Sequence, residues 1–288
     1  MRGLARLIGR KPVERHWDTL GARNAYGAIL TGEGGAVPEW DADAFFATGR
    51  ADVEHFMANL LRLAPDVPRR RALDFGCGVG RITRALSDHF AEVGGVDAAP
   101  SMVERARALN QAQTRCTFAL NREPNLRLFD TARFDVVYSR LVLQHIEPQV
   151  VRRYIPEFVR VLGPGGVLMF QLPEPVNAEQ AFCEAPVTGN AFKRWLPASM
   201  IRPWRRFKYR LIVDLSARME MFGVSRDEVL SLVAGAGGRI LEVQPDQSHG
   251  QDVPGYAYWV TTGEHRDWPA PPAPRTGRPP EPASRLAV

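Results

Sequence analysis

The sequence predicts an α/β fold, a layered arrangement in which helices cover a mostly parallel sheet. Two observations carry this. From residue 71 onward, short apolar runs alternate with helical patterns, the signature of successive βαβ units. In the first unit, Ala72-Leu-Asp-Phe-Gly-Cys-Gly-Val-Gly-Arg-Ile-Thr, a strand carries Asp74 near its end, and glycines follow at 76, 78 and 80 before a helix begins. Such a strand, Gly-rich turn and helix N-terminus form a nucleotide-binding corner, because glycine permits backbone angles and close ligand approach that side chains forbid.

The elements follow in order. Residues 13–66 read as helical: His16 to Leu20 and Tyr26 to Leu30 suggest one helix, and a loop at Gly32-Glu-Gly-Gly follows. A second helix starts at the Trp40-Asp-Ala-Asp cap, with Phe45, Phe46, Val53, Phe56, Met57, Leu60, Leu61 and Leu63 at near-helical spacing. Strands are predicted at 72–75, 92–96, 115–119, 134–138 and 166–172, and helices at 80–90, 100–112 and 149–162. Segment 174–222, rich in proline and aromatics, interrupts this rhythm. A helix from Ser225 to Ala236 and strands at 240–244 and 256–261, the last pair antiparallel, complete the fold. From Trp268 the tail is Pro- and Arg-rich with almost no large apolar residues, which predicts disorder. The expected organisation is a helical cap segment at 1–44, a core at 45–173, an insertion or lid at 174–222, the end of the core at 223–264 and a tail at 265–288.

Composition narrows the class. A 288-residue chain with 45% hydrophobic and 24% charged residues is ordinary for a globular protein. No run approaches the roughly 18 apolar residues of a membrane span. The Met1–Lys11 segment sets Leu4, Leu7 and Ile8 among arginines, an apolar stretch too short and interrupted for a signal peptide. Cys77, Cys116 and Cys183, widely spaced and odd in number, fit neither a disulfide framework nor a zinc site, so no metal and a cytoplasmic location are expected. The net charge of +5 comes almost entirely from arginine, beside abundant Ala, Gly and Pro. This is the mark of a G+C-rich coding bias and says little about partners.

Asp97 ends the second strand, where an acidic side chain accepts the ribose hydroxyls of an adenosine ligand, although it also suits a helix cap. The dinucleotide fingerprint would need a third glycine at 81, where this chain has Arg81. Asp74-x-Gly76-x-Gly78-x-Gly80 instead resembles the first motif of the class I S-adenosylmethionine-dependent methyltransferases, in their small-molecule, type 11/12-like branch. Three further stretches resemble that family in order: Gly95-Val-Asp-Ala-Ala-Pro-Ser-Met, Phe134-Asp-Val-Val-Tyr-Ser, and Leu162-Gly-Pro-Gly-Gly-Val-Leu. The resemblance covers roughly 45–175 and, more weakly, 224–262.

It implies a three-layer, Rossmann-like, seven-stranded sheet with an antiparallel last strand, and S-adenosylmethionine as cofactor, with S-adenosylhomocysteine as product. The cofactor residues it implies are Asp74, Gly76, Cys77, Gly78, Gly80, Asp97 with Ala98, Met102 beside the adenine, Asn121 after strand three, and Ser139 after strand four. Asn121 departs from the family's usual Asp and reads equally as a loop residue. Cys77 reads as a small turn residue, since a reactive thiol would need an activating base. Arg81 suits a cap, an ion pair or the methionine carboxylate.

Methyl transfer asks mainly for in-line positioning and desolvation. A base serves only an acceptor that must lose a proton, and His145, just beyond strand four, is the candidate, with pocket lining as its other reading. Trp17 and Tyr26 are lid or core residues. The run Arg202-Pro-Trp-Arg-Arg-Phe-Lys-Tyr-Arg, with Trp204 and Arg205, is either an acceptor clamp or an amphipathic helix with solvated arginines. The Asn/Asp-Pro-Pro-aromatic signature of amino-methylating nucleic-acid enzymes is missing after strand four, which argues against nucleic acid. The expected acceptor is a small molecule attacked at O or N, anionic or carrier-bound. RNA or protein methylation and cofactor binding without turnover are the alternatives.

Overall fold

The computed structural model describes residues 13–30, 40–175, 221–248 and 253–263. These form helices α1 (Val13–Ile29) and α2 (Ala42–Leu63), then β1 (Arg71–Phe75), α3 (Arg81–Leu86), β2 (Glu92–Asp97), α4 (Pro100–Leu109), β3 (Cys116–Leu120) and β4 (Phe134–Ser139). A 3-10 turn (Leu143–His145), α5 (Pro148–Val161), β5 (Leu162–Pro173), α6 (Arg226–Gly235), β6 (Arg239–Pro245) and β7 (Gly255–Thr261) follow. The seven strands make one sheet in the order β3-β2-β1-β4-β5-β7-β6, with β7 antiparallel to both neighbours. The expected Rossmann-like, seven-stranded class and its antiparallel last strand are therefore observed.

The sheet separates two apolar layers. Leu73 and Phe75 of β1 and Val137 of β4 face α5 and α6, meeting Phe158, Val229 and Val233. The alternate residues, Ala72, Val136 and Tyr138, face α2 and α3. On that side Phe56 of α2 stacks on Trp259 of β7, the rings 5.4 Å apart and 8° from parallel. α2 is thus an integral cover of the sheet, started by Asp41, whose carboxylate accepts from the Ala44 amide at 2.8 Å. α6 starts on Ser225, which accepts from Glu228 N.

Two helices end sooner than the periodicity predicts. α4 stops at Leu109 because the Asn110 amide turns back to Ala106 O and reaches Val79 O, at 2.7 and 3.1 Å. α3 stops at Leu86, where Ser87 donates to Arg84 O at 2.7 Å. β5 starts earlier than expected, at Leu162, with its glycine stretch tied to the end of the neighbouring β7 by the Thr261 and Thr262 hydroxyls on Gly166 O and Gly163 O.

Asp135 joins the N-terminal ends of β1 and β4. Its carboxylate is fully buried and accepts from Arg70 N and Arg71 N at 2.7 and 2.9 Å, and from the Arg70 guanidinium at 3.2 Å. Removing it takes the acceptor from two backbone amides. Asp135→Ala is expected to lower unfolding free energy by about 2–4 kcal/mol, read from urea midpoints. A loss below about 0.5 kcal/mol would show the tie to be incidental.

Candidate functional site

The turn after β1 is shaped by three glycines with positive φ: Gly76 at 78°, Gly78 at 52° and Gly80 at 86°. A Cβ at Gly76 would lie 2.4 Å from Val142 Cγ2, and one at Gly80 2.8 Å from Phe118 Cε1. Both strain and space therefore demand glycine. Val96 O accepts from Gly76 N and Cys77 N at 2.8 and 2.9 Å, holding the turn against the end of β2.

The carboxylates lie on either side of this turn. Asp97 Oδ2 accepts from Gly78 N and Oδ1 from Ala99 N, each at 2.9 Å. Burial pushes its pKa up while these backbone donors hold it down. Each oxygen keeps a further lone pair for a ligand. Ala98 lies beside it, half-buried. Asp74, on the α2/α3 side of β1, accepts from Thr83 Oγ1 at 2.6 Å. Its burial raises its pKa to about 6, against the opposing Thr83 hydrogen bond and the nearby Arg81 charge.

Asn121 donates its amide N–H to Asp97 O at 2.9 Å and its side-chain amide to Asn125 O at 2.8 Å, leaving its side-chain oxygen as an acceptor at the mouth of the β2–β3 edge. Met102 lies in an apolar cluster with Ala25, Phe45, Phe46, Val79 and Ala99. Ser139, the last residue of β4, is buried, and its hydroxyl has no partner among the described residues. The Cys77 thiol, buried beside Asp97 and Asp74, is pushed well above its ordinary pKa, so it stays protonated and unreactive.

Helix α1 lies over this surface. Ser101 N and Oγ donate to the Asp18 carboxylate and carbonyl at 2.8 and 2.7 Å, so Asp18 caps the first turn of α4 from another helix. Arg105 adds a bond to Ala22 O at 2.7 Å. The far end of α1 sets Ile29 against Gly78: a Cβ there would meet Ile29 Cδ1 at 2.6 Å. Trp17 lies edge-on to His145, their rings 5.2 Å apart. His145, half-buried, is 3.2 Å from the Gln144 amide nitrogen. Tyr26 instead stacks on Phe45 at 4.4 Å, as part of the apolar cluster. Trp204, Arg205 and the rest of 202–210 lie outside the described residues, as does the 265–288 tail.

An ion pair is one of the roles the sequence allows Arg81, but its partner Asp52 and the link to Arg140 carry no sequence signal. Arg81 is buried and ion-paired with Asp52 of α2, which also takes Arg140. Gln171 of β5 accepts from Leu141 N at 3.2 Å and donates to Asp246 and Ser248. Arg81 and Arg140 stand next to recognisable motifs, but nothing in the pattern of α2 marks Asp52. Among the described residues, no group of three or more His, Cys, Asp or Glu is placed to hold a metal ion, and no helix is long and apolar enough to cross a membrane.

Residues 72–166 match the family model described as Methyltransferase domain. The trans-aconitate 2-methyltransferase of Streptomyces avermitilis is 32% identical over 146 residues, covering 48% of this chain and 52% of that protein. The malonyl-acyl-carrier-protein O-methyltransferase of Herminiimonas arsenicoxydans is 36% identical over 137 residues, 47% of each. The chain spans about half the length of these curated relatives. The solved magnesium protoporphyrin IX methyltransferase of Synechocystis, with bound S-adenosylhomocysteine, superposes with a TM-score of 0.55 at 14% identity, covering 87% of this chain and 98% of that one. At that identity the likeness is one of fold.

Asp74 gives a pH test. Its folded pKa of about 6 lies above the unfolded value of 3.8, so the folded state holds the proton more tightly. Stability from this group is full below about pH 4, falls as pH rises through the 4–6 window and is then level, by up to about 3 kcal/mol. Asp74→Asn should remove that slope, so the stability difference, variant minus parent, grows from pH 4 to 6 and flattens above. A difference independent of pH in urea titrations would disprove it.

Proposed function

We propose that this chain, whose residues 72–166 match a methyltransferase-domain model, is a class I S-adenosylmethionine-dependent methyltransferase that transfers a methyl group to an O or N atom of a small molecule. The observation that carries the reading is the glycine turn locked between Val96 O and Asp97, with an acidic side chain at the end of β2. The cofactor, when bound, supplies a methyl group made electrophilic by its sulfonium. The residues present fit it: a glycine turn at the strand ends, a carboxylate with lone pairs to spare, and a buried hydroxyl at Ser139 that lacks a partner among the described residues.

In this reading Asp97, with Ala98 alongside, takes the ribose hydroxyls, and the Asn121 side-chain oxygen takes the adenine amino group. Gly76, Cys77, Gly78 and Gly80 admit the ligand to the backbone, Asp74 and Thr83 brace the turn, and Met102 supports the wall behind the adenine. Ser139 faces the amino-acid end. His145 and Trp17 form the acceptor side. His145 removes a proton from a neutral acceptor and acts as wall for one already anionic. The cap at 1–44 and the insertion at 174–222, with Trp204 and Arg205, select the acceptor. Tyr26 anchors the cap. The names of the two relatives, a trans-aconitate enzyme and a malonyl carrier-protein enzyme, support an anionic or carrier-bound acceptor. A cytoplasmic setting and metal-free chemistry belong to the same reading.

Calorimetry with S-adenosylhomocysteine tests it. The parent should bind, and Asp97→Ala and Asp97→Asn should each weaken binding at least about tenfold. Asparagine can still accept one of the two backbone N–H groups, so a melting temperature close to the parent's would separate ligand loss from loop collapse. No binding by the parent, or unchanged affinity in both variants, would end the proposal.

His145→Gln should lower kcat by about 10²–10⁴ on an acceptor that must lose a proton, with KM little changed. The same variant should leave kcat within a few-fold on an ionised carboxylic acid, and equal losses on both would contradict the assignment.

A further inference from the structure

Asp52 projects from the middle of α2 toward the C-terminal edge of the sheet and is shared by two arginines. Its Oδ2 is 2.7 Å from Arg81 Nη1 and its Oδ1 is 2.5 Å from Arg140 Nη1. Among the described residues the two guanidiniums share this one contacting carboxylate, with Asp74 bearing on Arg81 through space. Asp246, which bears on Arg140 through space, has its own oxygens engaged by Gln171 and by Ser248.

Donors are also left over. Arg81 is 5% exposed, uses Nη1 for Asp52 and Thr48, and keeps a buried Nε with no partner among the described residues. Arg140 uses only Nη1 among the described residues and is 28% exposed along its side chain, so most of its fork is open to a ligand. Ser139 Oγ, also buried and unpartnered, is next to it in the chain.

Position and rigidity complete the case. β1 and β4 are the neighbours at which the strand order reverses, where α/β sheets open a ligand crevice, and Arg140 leaves β4 at that point. The turn it stands on is held: Leu141 sits at φ 60°, a conformation disfavoured for a side-chain-bearing residue, with its N–H on Gln171 Oε1 and the next residue, Val142, against Gly76. Asp52 draws the guanidinium to one side of the crevice, and Arg81 keeps Asp52 from neutralising it fully.

We propose that Arg140, braced by Asp52 and Arg81, is a further acceptor-recognition residue and that the group it recognises is a carboxylate. A planar guanidinium with free donors takes a carboxylate in a paired, charge-assisted geometry that an ammonium cannot reproduce. This inference rests on the methyltransferase reading, because the acceptor is defined only by that reaction.

The test measures binding of citrate and of malonate by calorimetry to the full chain saturated with S-adenosylhomocysteine. The parent should bind at least one of them. Arg140→Gln should weaken that binding about ten- to hundredfold, Arg140→Lys should recover only part, and S-adenosylhomocysteine affinity should stay within about twofold. Failure of the parent to bind S-adenosylhomocysteine would remove the methyltransferase reading itself. Binding of that ligand with no carboxylate bound by the parent, or with carboxylate affinity unchanged in Arg140→Gln, would overturn this inference alone. A third outcome also overturns it: Arg140→Gln weakens S-adenosylhomocysteine tenfold and leaves 5′-methylthioadenosine, which lacks the carboxylate, unaffected. The arginine would then serve the cofactor's own carboxylate.

Discussion

The structure depends on the lock between the glycine turn and the end of β2. Val96 O takes two consecutive amides of the turn, and the Asp97 carboxylate takes a third and caps the entry to α4. Four backbone N–H groups are thereby satisfied within a few residues, in a region where α3 and α4 both begin. A buried amide left without an acceptor costs more than a made bond gains, so the turn has little freedom to relax. Its left-handed backbone brings β1, α3, β2 and α4 to one corner, and the remaining elements pack outward from it.

Two additions turn this corner into a site with sides. α1 is held on α4 by Asp18 and Ser101, so that Trp17 reaches His145 and Ile29 reaches Gly78. Farther along α2, which packs against α1 through Phe45 and Tyr26, Asp52 holds Arg81 and Arg140 together across the ends of β1 and β4. The first contact arranges apolar and aromatic groups, the second charge. The ends of the central strands thus carry the Asp97 carboxylate and Asn121 after β2 and β3, and the Arg140 guanidinium after β4.

Much of this was legible in the chain. All seven strands overlap the predicted apolar runs, and the central parallel ones, β1, β4 and β5, are the clearest because burial on both faces needs a nearly continuous apolar stretch. Asp74, Asp97 and the three glycines stand out because backbone geometry dictates them locally. Helix ends were less legible: α4 ends at the Asn110 side chain, which turns back to Val79 in another element, and hydrophobic periodicity carries no record of that bond. The reading of Trp17 and Tyr26 as a pair also separates in space. Trp17 meets His145, whereas Tyr26 stacks into the cluster around Phe45, since residues nine apart on a kinked helix face different neighbours.

By itself, then, the sequence determined the sheet, the turn and the acidic end of β2, because each follows from side-chain periodicity or from φ angles only glycine tolerates. Tertiary structure decided the rest of the site. Asp52 lies far along the chain from Arg81 and Arg140, and Asp18 far from Ser101, so no local pattern signals either pairing. Those contacts exist because burial of α2 against the sheet and of α1 against α4 brings charged groups close in a partly dehydrated setting, where each must find an opposite charge or a hydrogen-bond partner. The glycine turn was written in the chain; the charge placed beside it was settled by packing.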